Sequence, residues 1–220
     1  DVYYQPTLLY RTDASTIQND EDIYHLLGIS LDHKLTPKAN AILREQFVMT
    51  DDPGLGEGNS VRRDQTHYIN RFSPGILYAF TPSTKLDARA FYDIKRFDES
   101  SVADENDEDR AGIVLKAFHK LDKTTSLLGS VAYRNSDFES KQQNIDRGSE
   151  IINAYVGADH SFSPSFRLGV DGGVDLIEHE DDQLDSSTEP YAKVNATISP
   201  TVSTRIRGSI VHGAREADVY

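Results

Sequence analysis

The 220-residue sequence contains no cysteine, no tryptophan and a single methionine. Without cysteine, it can hold no disulfide, no cysteine-based zinc or iron–sulfur site and no cysteine nucleophile. No segment approaches the roughly 20 consecutive apolar residues of a membrane-spanning helix, which excludes a helical membrane protein. Basic residues are also few, 23 against 36 acidic ones for a net charge of −13. This balance argues against binding to the phosphates of a nucleic acid.

The first ten residues, DVYYQPTLLY, contain neither the basic segment nor the apolar segment of a secretory signal peptide. We therefore expect that any signal peptide has already been removed. At about 100 to 200 residues per domain, the chain length allows one large domain or two small ones.

What the sequence does contain is alternation of apolar and polar residues with a period of two. Between residues 166 and 177, Leu168, Val170 and Val174 alternate with Asp171 and Asp175. Such alternation predicts strands with one apolar and one charged face. Eleven segments show it and predict strands at residues 2–12, 23–35, 39–50, 67–80, 85–97, 110–121, 126–134, 151–162, 166–177, 190–198 and 202–212.

Two kinds of connection alternate along the chain. Short ones carry turn residues such as Thr-Pro, Ser-Pro or Asp-Lys-Thr, at 36–38, 81–84, 122–125, 163–165 and 199–201. Long polar ones lie at 13–22, 51–66, 98–109, 135–150 and 178–189. The repeating unit of strand, long loop, strand and short turn is about 40 residues and predicts an antiparallel up-and-down sheet.

Strand length and charge indicate which solvent each face meets. Strands of about 10 to 13 residues are long for a soluble sandwich, whereas a tilted strand needs about 9 to 11 residues to cross a bilayer. The five long connections hold 25 of the 36 acidic residues but only four of the 23 basic ones. Most other bases fall on the polar faces of strands. We therefore predict an all-β, antiparallel up-and-down transmembrane β-barrel. Eleven strands are visible, and because such barrels are even-numbered, we expect twelve or more in the complete barrel.

The basic residues on the polar faces are the candidate lining of the barrel interior. The predicted lumen-lining and solute-binding residues are Arg44, Arg71, Arg89, Lys116, Arg134, Arg167, Lys193, Arg205 and Arg207. Arg11 and Lys95 share their side of the strands, as do Asp32, Asp87, Asp93, Asp159, Asp171 and Asp175. Bases outnumber acids in this set, which favours water and anions in the interior. The alternative is that bases and acids pair and plug it.

Aromatic residues on the apolar faces gather at strand ends. Tyr68, Tyr92 and Tyr133 lie near the long connections, and Phe80, Phe162 and Phe166 lie near the short turns. Two such girdles are typical of the membrane interfaces of a transmembrane barrel. Tyr24, Phe118 and Tyr191 depart from the pattern.

Short repeats accompany the strands. PTLLY from Pro6 matches PGILY from Pro74, and DHKLTP from Asp32 matches FHKLDK from Phe118 and DHSFSP from Asp159. With Thr/Ser-Pro turns alternating with long loops, the sequence resembles the outer-membrane β-barrels of Gram-negative bacteria, in particular their β-barrel porin group. The resemblance covers essentially all of residues 1–220, as a single barrel domain or as part of a longer barrel chain.

The resemblance implies a place in the bacterial outer membrane, with short turns in the periplasm and acidic loops outside. Outer-membrane lipid is then the main partner, with a homo-oligomer or other envelope proteins as further candidates. A porin-like passive channel for small polar or anionic solutes is the function it implies. One alternative is a non-conducting barrel with a structural or polysaccharide-export role, and another is a soluble β-sandwich surface module.

The sequence predicts no catalytic residue, metal site or cofactor. Asp104, Asn106 and Glu108 mimic the first ligands of a calcium-binding loop, but the required glycine and terminal glutamate are missing. His33, His119 and His160 recur just before short turns. Repetition in register favours a position at the membrane interface over a single catalytic base. We therefore do not expect an enzyme.

Overall fold

The computed structural model describes residues 1–10, 21–50, 66–138, 148–181, 184–201 and 203–213. They form one antiparallel sheet of eleven strands and one short helix. The strands are β1 (Val2–Tyr10), β2 (Glu21–Thr36), β3 (Ala39–Thr50), β4 (His67–Ala79), β5 (Thr84–Phe97), β6 (Glu108–Lys120), β7 (Thr125–Phe138), β8 (Ser149–Ser163), β9 (Phe166–His179), β10 (Ser187–Ile198) and β11 (Ile206–His212). The helix α1 (Ser100–Asn106) lies between β5 and β6.

Each strand pairs with the strands before and after it in the chain, so the order in the sheet is β1 to β11 without a crossover. The predicted all-β, up-and-down fold is therefore confirmed. β1 and β11 form the two edges, and the described strands do not close into a barrel. We call the end with the short connections the turn end and the opposite end the loop end.

Most described strand bounds lie within three residues of the predicted ones, and three differences are larger or concern a new element. β7 continues to Phe138, beyond the expected end at residue 134, and Ser136 still pairs with Ser149 on β8. The sequence did not reveal this extension because residues 135–137 are all polar and show no alternation. β11 begins at Ile206 instead of residue 202. The expected loop at 98–109 contains α1, in which Val102 is buried.

The two faces of the sheet differ in exposure. In β6, Ile113 and Leu115 are exposed, whereas Val114 and Lys116, which alternate with them, are half-buried. We call the face with Ile113 and Leu115 the apolar face, and the face with Lys116 the polar face. Since side chains on the concave side of a curved sheet shield one another, this difference indicates that the sheet curves around the polar face.

Electrostatic interactions across several strands support the same curvature. Asp32 on β2 interacts with Arg89 on β5, and Lys116 on β6 interacts with Asp171 on β9. Each pair is three strands apart, or about 14 Å along a flat sheet. Curvature brings these polar-face side chains nearer to one another.

Few apolar side chains are buried. Among the described residues, the buried apolar ones are Ala39, Ile42, Val102 and Ile151. No second layer covers the apolar face in the described part of the chain. The sheet is therefore held together mainly by its backbone hydrogen bonds and by cross-strand side-chain pairs.

On the polar face, aromatic rings cover glycines of the next strand. A β-carbon added at Gly28 would collide with the Tyr3 ring directly opposite, and one added at Gly112 would collide with the Phe91 ring. These two rings compensate for the side chains that the glycines lack. Tyr155 stands directly opposite Gly173, where an added β-carbon would meet the Tyr155 Cα and Cβ atoms and the Ala154 carbonyl. Aromatic residues on the polar face thus have a packing role of their own.

The short turns share one hydrogen-bonding device. The side-chain oxygen of the first turn residue accepts the backbone N–H groups two or three residues later, as in an Asx or ST turn. Thr81 Oγ1 accepts from Thr84 N at 2.9 Å, and Asp122 Oδ1 accepts from Thr125 N at 2.7 Å. In the β10–β11 connection this acceptor is Thr201, which bonds Thr204 N at 3.1 Å, so the connection is longer than the expected turn at 199–201.

The Phe91–Gly112 contact can be tested with an alanine. Gly112→Ala places a β-carbon against the Phe91 ring and the Tyr133 carbonyl, so the backbone must shift. We expect the free energy of unfolding to fall by about 1 to 3 kcal/mol. In the control, Gly129→Ala, the β-carbon enters open space, and a change within about 1 kcal/mol is expected. Urea unfolding followed by circular dichroism measures both, and equal losses would contradict the contact.

The Asp122 turn predicts a pH dependence. The Thr124 hydroxyl, followed by the backbone N–H groups of Thr124 and Thr125, lowers the pKa of the Asp122 carboxyl to about 2. Because the folded pKa lies below the ordinary value of 3.8, ionised Asp122 stabilises the turn above that pH. This contribution is lost as the pH falls toward 2. In a carboxyl-carbon NMR titration, we expect Thr124→Val to raise the pKa and Lys123→Gln to leave it unchanged. A wild-type midpoint near 4 would refute the bonding.

Candidate functional site: the polar face of the sheet

The best-defined ion pair of the polar face joins Arg71 to Asp93. The two residues stand directly opposite each other on β4 and β5. Arg71 Nε lies 3.0 Å from both carboxylate oxygens of Asp93, and Nη2 lies 2.8 Å from Oδ2. The Asp93 side chain is 10% exposed and that of Arg71 is 52% exposed. The carboxylate is thus fixed within the sheet while the guanidinium faces the open side.

Other predicted lining residues are also paired. Arg44 binds Asp32 at 2.8 Å, Arg89 binds Asp87 at 2.7 Å, and Arg167 binds Asp159 at 3.1 Å. The Arg89 pair lies within one strand, whereas the other two pairs are diagonal across neighbouring strands. Including Arg71, four of the nine predicted lining residues therefore form ion pairs with carboxylates.

The polar face nevertheless keeps bases without an ion pair. Among the described residues, no carboxylate lies within 4.0 Å of Lys116, Lys193, Arg205 or Arg207. Lys116 stands opposite Asp87, whose carboxylate binds Arg89, and Lys193 stands opposite Asp171. These bases give the described polar face positive charge that its ion pairs do not neutralise.

The remaining candidates have different surroundings. Arg134 is half-buried on the polar face, opposite Gly112 and Ile151. Lys95 lies over the Phe97 ring, with Nζ 4.9 Å from its centroid. Arg205 precedes β11 and so lies in a connection, not in a strand as predicted. Arg11 lies outside the described residues.

The sequence-based list missed an ion pair, that of Arg110 with Glu108 on β6. β6 begins two residues earlier than the predicted start at 110, and this places Glu108 in a strand instead of a loop. The alternation itself could have identified both, since they share the parity of Lys116. The polar face also carries three exposed lysines at the turn end: Lys34, Lys85 and Lys120.

The aromatic residues of the predicted girdles lie on the apolar face, at or next to strand ends except for Tyr92 and Tyr133, which lie five residues before the loop-end termini of β5 and β7. At the loop end, Tyr68 stacks on Phe47 with ring centroids 5.9 Å apart, and Tyr92 donates a hydrogen bond to Asp109 at 3.0 Å. Tyr133 bonds Glu150. At the turn end Phe162 stacks on Phe166 at 5.4 Å, and Phe80 is exposed. Contact of these rings with a membrane interface stays a prediction.

Two of the repeated histidines form identical pairs at the turn end. Thr84 bonds Nδ1 of His119 at 2.9 Å, and Thr125 bonds Nδ1 of His160 at 2.9 Å. In each case the threonine opens one strand and stands directly opposite the histidine on the next. The repetition is therefore structural, and it places both rings on the apolar face.

One carboxylate interrupts the apolar face. Glu45 stands between Ile29 and Phe72, in the same row as Leu43 and Phe47. It is half-buried and has no ion pair within the described ranges. The sequence could not predict which face of the sheet Glu45 lies on, because a single acid among apolar residues interrupts the alternation.

The three residues that mimic a calcium-binding loop lie in two different elements. Asp104 and Asn106 belong to α1, whereas Glu108 is on β6 beside Arg110. Nowhere in the described ranges do three or more acidic or histidine side chains come close enough together to hold a metal ion. Within those ranges, no helix has the length and hydropathy that a membrane span needs.

A double-mutant cycle measures the Arg71–Asp93 pair. For Arg71→Gln and Asp93→Asn, we expect a coupling free energy of about 1 kcal/mol, at the upper end for a partly exposed pair. The control cycle, Arg44→Gln with Asp32→Asn, concerns a pair whose carboxylate is 60% exposed. Its coupling is expected to be below about 0.5 kcal/mol. Urea unfolding of the wild type and the six variants supplies the free energies, and a smaller coupling for Arg71 than for Arg44 would refute the ranking.

No protein-family model matches the chain, and no curated protein is significantly similar to it.

Proposed function

We propose that this chain forms the wall of an outer-membrane β-barrel whose polar face lines a water-filled passage for small polar or anionic solutes. The proposal includes the likeness to β-barrel porins that the turn and strand repeats suggest. It depends on two properties of the sheet, an apolar face that needs a nonaqueous environment and a polar face that needs water.

The observation that carries the proposal is the exposure of the apolar face. Across its middle, Val131 is 51%, Val156 71%, Val170 47% and Ile210 77% exposed. An exposed apolar surface that continues over eleven strands is far larger than the patches of a few hundred Å² found on soluble monomers. Lipid hydrocarbon would cover this surface without a second protein layer.

The rings at strand ends agree with a bilayer. Tyrosines at the loop end and phenylalanines at the turn end flank a band of alanine, valine, leucine and isoleucine. Such rings have an apolar body and prefer the level of the lipid headgroups. The Thr–His pairs of β5–β6 and β7–β8 add polar groups at the same level of the turn end.

The polar face supports the passage of anions. Four arginines are fixed by carboxylates, while Lys116 and Lys193 face the concave side without an ion pair. Cationic side chains along a wet interior raise the local concentration of anions. The acidic long connections, by contrast, would act on solutes before they enter.

The soluble sandwich alternative requires apolar faces that pack on each other. The described strands belong to a single sheet, and the apolar face meets no other strand. This alternative therefore has no support from the described residues.

The non-conducting alternative retains one supporting observation. Aromatic rings and ion pairs together occupy part of the concave side. Among these rings, Tyr155 and Tyr191 stack with their centroids 5.2 Å apart. Enough such filling would leave a barrel that anchors envelope components and conducts no ions. Conductance separates the two functions.

Single-channel recording in a planar bilayer under a salt gradient tests the channel. We expect discrete current steps and a reversal potential on the anion side. Lys116→Gln with Lys193→Gln should lower the anion-to-cation permeability ratio by a factor of roughly two to five, since a charge near a permeating ion in water contributes about 1 kcal/mol. Lys38→Gln, in the exposed β2–β3 turn, is the matched control and should leave the ratio unchanged.

Two results would contradict the proposal. Absence of current from protein that is folded and inserted would remove the channel and favour the anchoring role. Cation selectivity that the double variant does not alter would assign control of permeation to the acidic connections and not to the polar face.

A further inference from the structure

A cavity of about 620 Å³ lies at the turn end of β8 to β11. Its polar lining includes Ser161, Arg167, Thr197, Arg205 and Arg207, Phe162 and Phe166 supply an apolar part, and none of the described residues that line it is acidic. Its volume is within the range of about 300 to 1,000 Å³ that is usual for small-molecule sites. Cationic and hydroxyl groups are therefore concentrated in one concavity.

Strand register builds this concentration. Arg167 on β9 stands directly opposite Thr197 on β10, and Thr197 stands directly opposite Arg207 on β11. The three residues form one row across adjacent strands on the polar face. Since neighbouring strands are about 4.8 Å apart, the two arginines start about 10 Å from each other. Their long side chains can converge on one group between them.

The β10–β11 connection supplies the third cation. Because β11 begins at Ile206, Arg205 belongs to the connection, and it lines the same cavity. The connection is longer than the other short turns, and Thr201 closes it by bonding Thr204 N. The extra residues bring a third guanidinium to the row of Arg167 and Arg207.

The charges around this cavity are not balanced. Arg167 has Asp159 as a partner at 3.1 Å, but Arg205 and Arg207 have no ion pair among the described residues. Like charges grouped in this way repel one another, and a bound anion relieves the repulsion. Planar guanidinium groups bind phosphate oxygens with two parallel hydrogen bonds, and hydroxyls such as those of Thr197 and Ser199 can donate further ones.

We infer that the cavity of Arg167, Arg205 and Arg207 is a binding site for a phosphate group. The inference rests on the proposed function in one respect: a solute reaches the cavity if the polar face is the water-filled side of a barrel. The phosphate group can belong to a soluble phosphorylated solute or to a lipid headgroup at the membrane surface.

Calorimetric titration of the protein in octyl glucoside micelles, which contain no phosphate, tests the site with inorganic phosphate. We expect saturable binding of one phosphate per chain. Arg207→Gln should weaken it by roughly tenfold or more, since a hydrogen bond to a charged group contributes about 1.5 to 3 kcal/mol. Lys38→Gln removes one positive charge from the same end of the sheet, outside the cavity, and should change the affinity less than about twofold. Arg205→Gln lies outside the strands and provides the same test if Arg207→Gln folds poorly.

Absence of saturable binding, or equal weakening by Arg207→Gln and Lys38→Gln, would overturn the inference. Repeating the titration with phosphatidylglycerol in the micelles identifies the source of the phosphate. An unchanged affinity indicates a soluble solute, and competition by the lipid indicates a headgroup. Phosphate binding without conductance in the planar bilayer would support this site and contradict the channel. Conductance without phosphate binding would support the channel and contradict this site.

Discussion

The backbone ladder that runs from β1 to β11 is the constraint on which the other features depend. Only a few apolar side chains are buried in the described residues, so the fold is not organised around a core. Each strand instead obtains its hydrogen bonds from the strands before and after it. Because successive residues of a paired strand point to opposite faces, the ladder assigns every side chain to one of two environments. A shift by one residue would exchange the environments of an entire strand.

This strict assignment explains features that are unfavourable when each is considered alone. Glycine inside a strand costs stability, but a ring from the next strand covers Gly28 and Gly112. Glu45 has no ion pair among the described residues, yet its row is fixed by the residues opposite it on both sides, Ile29 and Phe72. A carboxylate among apolar side chains is costly, so at this position the register prevails over the preference of one side chain.

Local patterns predicted the strands, and long-range pairing determined the rest. The alternation and the turn residues lie within about ten neighbouring positions, which is why the strand order and the two faces could be predicted. Ion-pair partners could not, because Arg71 meets Asp93 only through the register of β4 with β5. The helix α1 was missed because seven residues are too few to show a clear helical period.

Charge along the polar face is sorted by position, and this sorting limits how it can be neutralised. At the turn end, the residues directly opposite Lys85 are Ala79 and Phe118, and Lys120 faces Ser126. At the loop end, Asp175 faces Glu189, two acids in directly opposed positions. Like charges in neighbouring positions destabilise a sheet unless water or mobile ions screen them. Ion pairs of the sheet itself neutralise part of the face, such as Arg71–Asp93, Arg167–Asp159 at the turn end and Arg110–Glu108 at the loop end. Charges that have no ion pair among the described residues, such as those of Lys85 and Lys120, require hydration, and they oppose collapse of the concave side into a dry core.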